Sequence, residues 1–352
     1  MAAWIAIDRP LRWVAAGILC GCAVPPRLSE NPDWQRYEVC EDPEGARVLD
    51  AANAMVAAGR DREAAPLLLE VLELCPDHVP THLLYQDTCL RLGGEYLSEM
   101  QSYYRDLRGP PPDSVAGYMR IRLVEHDASR LLALDQLLEA DPGFYYGHFS
   151  KARLLRFNGQ LSRAVQGFRD TLQVNPDMLQ AHLELAEVLV ELRRLAEARP
   201  HYANYVRGRP ADWEARREYV RLLLYGLGEI EEAEEHVAAL VQVDPDDPDL
   251  MMDRAALAWR SGRLEEAEAL YRTVLDRDPT AARALLNLGN LYYEGMGQTE
   301  EDKRLYWPLA RQAYQGFLNL ARAEGAMDLF DYYLAVPFRL KEIDRFLDGS
   351  GG

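Results

Sequence analysis

The sequence predicts an all-α protein built as a right-handed superhelix of about eight helix-turn-helix repeats, and two regularities predict it. Prolines return at Pro76, Pro110, Pro142, Pro176, Pro210, Pro245 and Pro279, in steps of 34, 32, 34, 34, 35 and 34 residues. Small residues keep two fixed offsets inside that period, with amphipathic stretches around them. A period of this length marks stacked helical units, so the 352 residues do not by themselves set a domain count.

Each element of the period has a physical reason. In the first helix a small residue stands at Ala52, Ala152, Ala186, Ala255 and Gly289, where a second helix must cross closely. A turn glycine follows at Gly59, Gly159 and Gly262, free to take the left-handed conformation that ends a helix. The second helix has its small residue at Ala64, Ala164, Ala198, Ala233, Ala267 and Ala310. Four positions on, one turn along the same face, stand Leu68, Phe168, Tyr202, Val237, Tyr271 and Tyr314. Proline then ends the second helix by removing a backbone donor.

Period and pattern together resemble the tetratricopeptide repeat, over about four fifths of the chain. The second and third repeats depart from it, with Ser98 and Arg130 where alanine belongs. The eighth is longer, and Gly295-Met296-Gly297 resembles the G-x-G of the Sel-like variant. Residues 327–347 supply amphipathic segments broken at Pro337, suited to capping the last repeat. The expected organisation is a leader over 1–21, a tether over 22–44, repeats over 45–326, and a capping helix and tail over 327–352.

The leader rests on Arg9 and Arg12, the apolar run 13–19 and the segment Leu19-Cys20-Gly21-Cys22. That segment resembles the bacterial lipobox. The resemblance implies cleavage before Cys22, a diacylglycerol on its thiol and, with Ala23 next, residence at the periplasmic side of the outer membrane. Export would leave Cys40, Cys75 and Cys89 in an oxidising compartment. Cys40 precedes the first helix of repeat one and Cys75 ends its second, so antiparallel packing brings them together. A Cys40–Cys75 disulfide and three free thiols are the two alternatives.

The resemblance further implies a concave face lined by the first helix of each repeat. Its residues include Arg122, Tyr146, Phe149, Arg153, Arg156, Phe157, Arg217, Arg221 and Trp259. Arginine mixed with aromatics is the composition of interface anchors. Arg122, Arg153 and Arg156 are expected to form one cluster, Arg217 and Arg221 a second, and an acidic segment would suit both. The plainer alternative pairs them with Glu187, Glu191 and Glu214 in a solvated face. The lysine and asparagine with which some family members clamp a C-terminal carboxylate are unmatched, since those slots hold Leu49, Asn53 and Leu84.

A formal charge of −18 argues against nucleic acid. Walker, G-x-G-x-x-G, H-E-x-x-H and G-x-S-x-G motifs are absent from the sequence, and His78 and His82 straddle Pro80 rather than sharing a helix face. The expectation is a non-catalytic scaffold without cofactor or metal, holding protein partners in its groove. Its setting would be envelope, pilus or secretion assembly. The alternative is an accessory subunit of a peptidoglycan- or polysaccharide-active enzyme, with groove aromatics stacking on sugars.

Overall fold

The computed structural model describes residues 35, 37–107, 113–324 and 330–349, with side chains outside 321–333. Seventeen helices and no strand occur among the described residues, so the protein is an all-helical solenoid of tetratricopeptide type. The proposed leader and most of the tether, Cys22 included, lie outside the described residues. The chain divides after Arg194 into two units.

The first unit holds nine helices: α1 Pro43–Ala57, α2 Asp61–Leu74, α3 Val79–Leu92, α4 Gly94–Asp106, α5 Ser114–Arg122, α6 Asp127–Ala140, α7 Tyr145–Phe157, α8 Leu161–Val174 and α9 Leu179–Glu191. Helix α1 starts where the Asp42 carboxylate accepts the amides of Glu44 at 2.9 Å and Gly45 at 2.8 Å, with Pro43 preset for the first turn. Ala52, Ala64, Ala152 and Ala164 are fully buried at the helix crossings. Helices α7 and α8 approach closely, where a side chain on Gly167 would stand 2.9 Å from the Ala152 Cβ.

Gly59 and Gly159 take φ of 69° and 70° in the turns between paired helices. In the fifth repeat that slot belongs to Arg193, whose φ is 60°. Repeats two and three use other side chains than their period suggests. Ser98 is exposed, and α4 buries Met100 and Tyr104 instead. Arg130 serves the turn: its Nε and Nη2 donate to the Val124 carbonyl at 3.1 and 2.6 Å, while Leu134 and Leu138 supply the buried face of α6.

The second unit runs α10 Leu195–Gly208, α11 Trp213–Arg221, α12 Ile230–Val241, α13 Pro248–Arg260, α14 Leu264–Arg277, α15 Ala282–Asn290, α16 Glu300–Glu324 and α17 Phe330–Gly349. Helices α11 and α15 each widen at their end into a π turn, Leu222–Leu227 and Leu291–Met296. A π turn accommodates one extra residue in a helix. The first of them sits in the 35-residue step, so the added residue stays helical instead of lengthening a loop.

Helix α17 runs through Pro337 without a break, contrary to the two segments expected there. Val336 and Ile343 are buried in the core shared with α16, and Phe346 meets Trp307 edge-on at 5.0 Å. Arg339 reaches from α17 to the buried Asn290 and Tyr314 hydroxyl and to the exposed Glu294, so its planar fork ties the last helix to the eighth repeat.

Candidate partner-binding face

The expected groove arginines carry their own carboxylate partners, which for Arg122, Arg153 and Arg156 sit on the first helix of a neighbouring repeat. Arg122 of α5 donates to Gln86 at 2.7 Å and to Asp87 at 3.0 Å, both on α3. Gln86 is buried and uses its amide on the Met119 carbonyl at 2.9 Å. Arg156 of α7 turns to α9 and meets Glu184, Glu187 and Glu191 at 2.8, 2.7 and 2.6 Å. Arg153 pairs with Glu184 at 3.2 Å. Arg122 and the Arg153–Arg156 pair therefore bind in opposite directions along the unit instead of forming one cluster.

Around Arg156 two arginines face three glutamates, so this part of the face does not present net positive charge. Burial works against the Arg156 charge, yet Glu187 and Glu184 overcome it and raise its pKa above the ordinary arginine value. Burial raises the Glu187 pKa, with Arg156 opposing. Of the plainer expectation, which paired the arginines with Glu187, Glu191 and Glu214, the first two pairings describe Arg156, with Glu184 added.

The aromatics separate into buried and free. Tyr146 and Phe149 are buried; Phe149 packs 5.8 Å from the Phe168 ring centre and carries the Arg153 guanidinium 5.8 Å above its own. Phe157 is 70% exposed. Beside it the Arg153 side chain retains 48% of its exposure, against 15% for Arg156. Leu90, on the α3 row expected to be concave, is 52% exposed.

In the second unit Arg217 donates to Asp247, the N-cap of α13, and Arg221 to Glu218 at 2.6 Å, with Asp249 at 3.9 Å. Trp259 is partly buried, its indole nitrogen 2.9 Å from where a Cβ on Gly295 would stand. It packs on a π turn rather than facing outward.

Two features of the site escaped the sequence reading. One is Asp253 on α13, a buried carboxyl that accepts the Tyr225 hydroxyl at 2.9 Å and leaves its other oxygen without a partner. Burial pushes its pKa up to about 6, against the pull of Arg221 and the Tyr225 bond. A lone acid among the apolar neighbours Met251, Met252, Ala255 and Ala256 is the signal that was available. The other is the stretch before α1, expected to be tether. Tyr37 is 3% exposed and belongs to the core of the first unit, next to the Cys40–Cys75 disulfide, which is the first of the two alternatives the sequence left open and has its Cα atoms 5.4 Å apart. A side chain on Gly45 would stand 2.7 Å from the Cys40 sulfur, so glycine is what lets the bond lie against α1.

His78 and His82 have all four ring nitrogens engaged, by Thr81, the Glu38 carbonyl, Tyr104 and the Pro76 carbonyl. Among the described residues no group of three His, Cys, Asp or Glu side chains is placed to hold a metal ion, and no helix is long and apolar enough to cross a membrane.

Stacked helical hairpins with a lined inner row define a helical-repeat protein of the interaction-scaffold kind. The tetratricopeptide-repeat family model matches residues 149–213, 222–282 and 252–297, so those stretches are tetratricopeptide repeats, of a class that is typically non-catalytic. The chain is similar to a tetratricopeptide repeat and J domain-containing co-chaperone of Cryptococcus neoformans, 25% identical over 46% of this chain and 33% of that one. It is also similar to the CTR9 homolog of Arabidopsis thaliana, 27% identical over 53% of this chain and 18% of that one. The match thus spans a third or less of each relative's length.

Among solved structures, YrrB, a TPR protein described as having an unusual peptide-binding site, aligns with a TM-score of 0.43 at 17% identity, covering 57% of this chain and 97% of that one. A tetratricopeptide repeat protein from Parabacteroides merdae aligns with a TM-score of 0.37 at 14% identity, covering 86% of this chain and 99% of that one.

Proposed function

We propose that the protein is an envelope scaffold, tethered through a lipidated Cys22 on the periplasmic side of the bacterial outer membrane, which holds a segment of a partner protein against the inner face of its first unit. The observation that carries the binding reading is Phe157: a large apolar side chain left 70% exposed on the inner row, one turn from the half-exposed Arg153. Tyr146 and Phe149 are buried, so the stacking platform needed by the sugar-binding alternative is reduced to Phe157. The arginines other than Arg153 act mainly between repeats, so the partner contact is apolar with one charged neighbour rather than a broad anion site.

The lengthened eighth repeat is read as the Sel-like variant on its Gly295-Met296-Gly297, and pilus, secretion or outer-membrane assembly as the setting. The test is a photo-crosslinking residue at position 157, compared with one at exposed Leu132 on the second helix of its repeat. A discrete partner captured only from 157 supports the reading, and equal labelling from both positions removes it. Mass spectrometry of the mature N-terminus tests the anchor, since an unacylated chain retaining Met1 excludes it.

A further inference from the structure

The short stretch before the first helix is held in the manner of a bound peptide. The Tyr37 ring meets Phe144 edge-on at 5.1 Å and lies 6.3 Å from Tyr145, and its hydroxyl reaches the Asp141 carboxylate at 3.5 Å. Glu38 follows with two kinds of contact. Its carboxylate accepts the hydroxyls of Tyr146, at 2.9 Å, and of Tyr145, while its carbonyl lies 3.0 Å from the His78 Nε2. Val39 is exposed, and Cys40 is bonded to Cys75. An aromatic side chain in an aromatic pocket, a carboxylate on two phenols and one backbone carbonyl on an imidazole is a full set of side-chain and main-chain contacts. The residues supplying them stand about 40 to 108 positions away in the chain.

The geometry points to a peptide seat at the start of α7, selective for an aromatic residue followed by an acidic one and filled in cis by Tyr37 and Glu38. Among the described residues no arginine or lysine holds the Glu38 carboxylate, so recognition rests on hydroxyl donors and shape, not on positive charge. That distinguishes the seat from the Arg153–Phe157 face, and the failure of either assignment leaves the other standing. The resident pair is two and three residues from a covalent anchor at Cys40, and a tether that short sets an effective concentration on the order of millimolar. A segment from another chain, making the same contacts, therefore enters at micromolar levels only when the resident is removed.

The probe is a blocked, fluorescent peptide with the sequence of residues 35–39, titrated into the intact oxidised chain and into the double variant Tyr37→Ala with Glu38→Ala. The expected result is binding to the variant at least tenfold tighter than to the intact chain, with a tenfold or greater loss when Tyr146→Phe is added. Equal binding to both, or none to a variant whose helical circular dichroism matches the intact chain, overturns the assignment. Should the double variant fail to fold, Glu38→Gln serves. Amide exchange over residues 145–147 should rise in that variant and return towards the intact rate with excess peptide, and an unchanged rate overturns the seat.

Discussion

The imidazole Nε2 of His82 lies 2.8 Å from the carbonyl oxygen of Pro76, six residues before it. The same relation joins His148 to Pro142 at 2.9 Å and His182 to Pro176 at 3.0 Å, and Arg216 donates to Pro210 at 3.1 Å. Proline ends one helix with a carbonyl that no helical amide reaches. A donor in the first turns of the next helix takes it up, so the side chain at that repeat position is a clasp across the turn.

His82 makes the clasp sensitive to acid. Burial, reinforced by His78 and opposed by the Pro76 carbonyl, lowers its pKa to about 4 from an ordinary 6.5. A folded-state pKa below the unfolded one means that its contribution is fully present above about pH 6.5 and is lost as pH falls towards 4. The expected loss is about 3 kcal/mol over that window. Urea denaturation of the intact protein and His82→Gln should show a stability difference that shrinks steadily from pH 7 to pH 4.5.

Asp253 has the opposite sign. Its pKa, raised to about 6, lies above the unfolded value, so its contribution is full below about pH 4 and lost as pH rises through 6. At pH 7.5 the buried charge costs about 2–3 kcal/mol relative to the neutral acid. Asp253→Asn, which can still accept the Tyr225 hydroxyl, should raise the melting temperature at pH 7.5 and leave it nearly unchanged at pH 4.5. A variant that melts lower at pH 7.5 would show that the carboxylate is needed ionised.

The two arginines of α7 should differ sharply. Removing Arg156 strands three glutamates around a mostly buried position, and breaking such a group costs about 3 kcal/mol or more. Arg153 is half exposed and its ion pair is worth about 1 kcal/mol at most. Thermal melts of Arg156→Ala and Arg153→Ala separate the two, with partner crosslinking at 157 falling only where Arg153 is removed from a protein that still melts normally.

Arg193 stands where other repeats use a left-handed glycine. A residue with a Cβ pays roughly 1–2 kcal/mol in that conformation. Arg193→Gly should therefore raise the unfolding free energy by up to about 1 kcal/mol, measured by denaturant titration, with the helical signal unchanged.

What the sequence made legible follows from repetition. Ala52, Ala64, Ala152 and Ala164 each answer the same crossing, so their spacing exposes the fold several times over. Where a repeat solves the crossing differently, as with Met100 and Tyr104, the period misplaces the buried pair by two residues. The inner row was legible by position but not by role. Periodicity placed Arg156 on that row and offered Glu187 and Glu191 as partners, but only as one of two alternatives, because the pairing, Glu184 included, depends on how far a guanidinium reaches into the next repeat. Tyr37 and Glu38 were illegible, because they occur once, outside any period, and pair with residues more than a hundred positions away.

That separation has a consequence for synthesis. Stacked repeats complete most of their contacts with the neighbour that emerges next from the ribosome. Tyr37 instead waits for Asp141, 104 residues downstream, and closing so long a loop is slow compared with forming a local helix pair. The beginning of the described chain is therefore seated later than the helix pairs that lie between it and α7. Until residues 141–146 have been made, Tyr37 and Glu38 stay open to whatever chaperone or export factor accompanies the nascent chain.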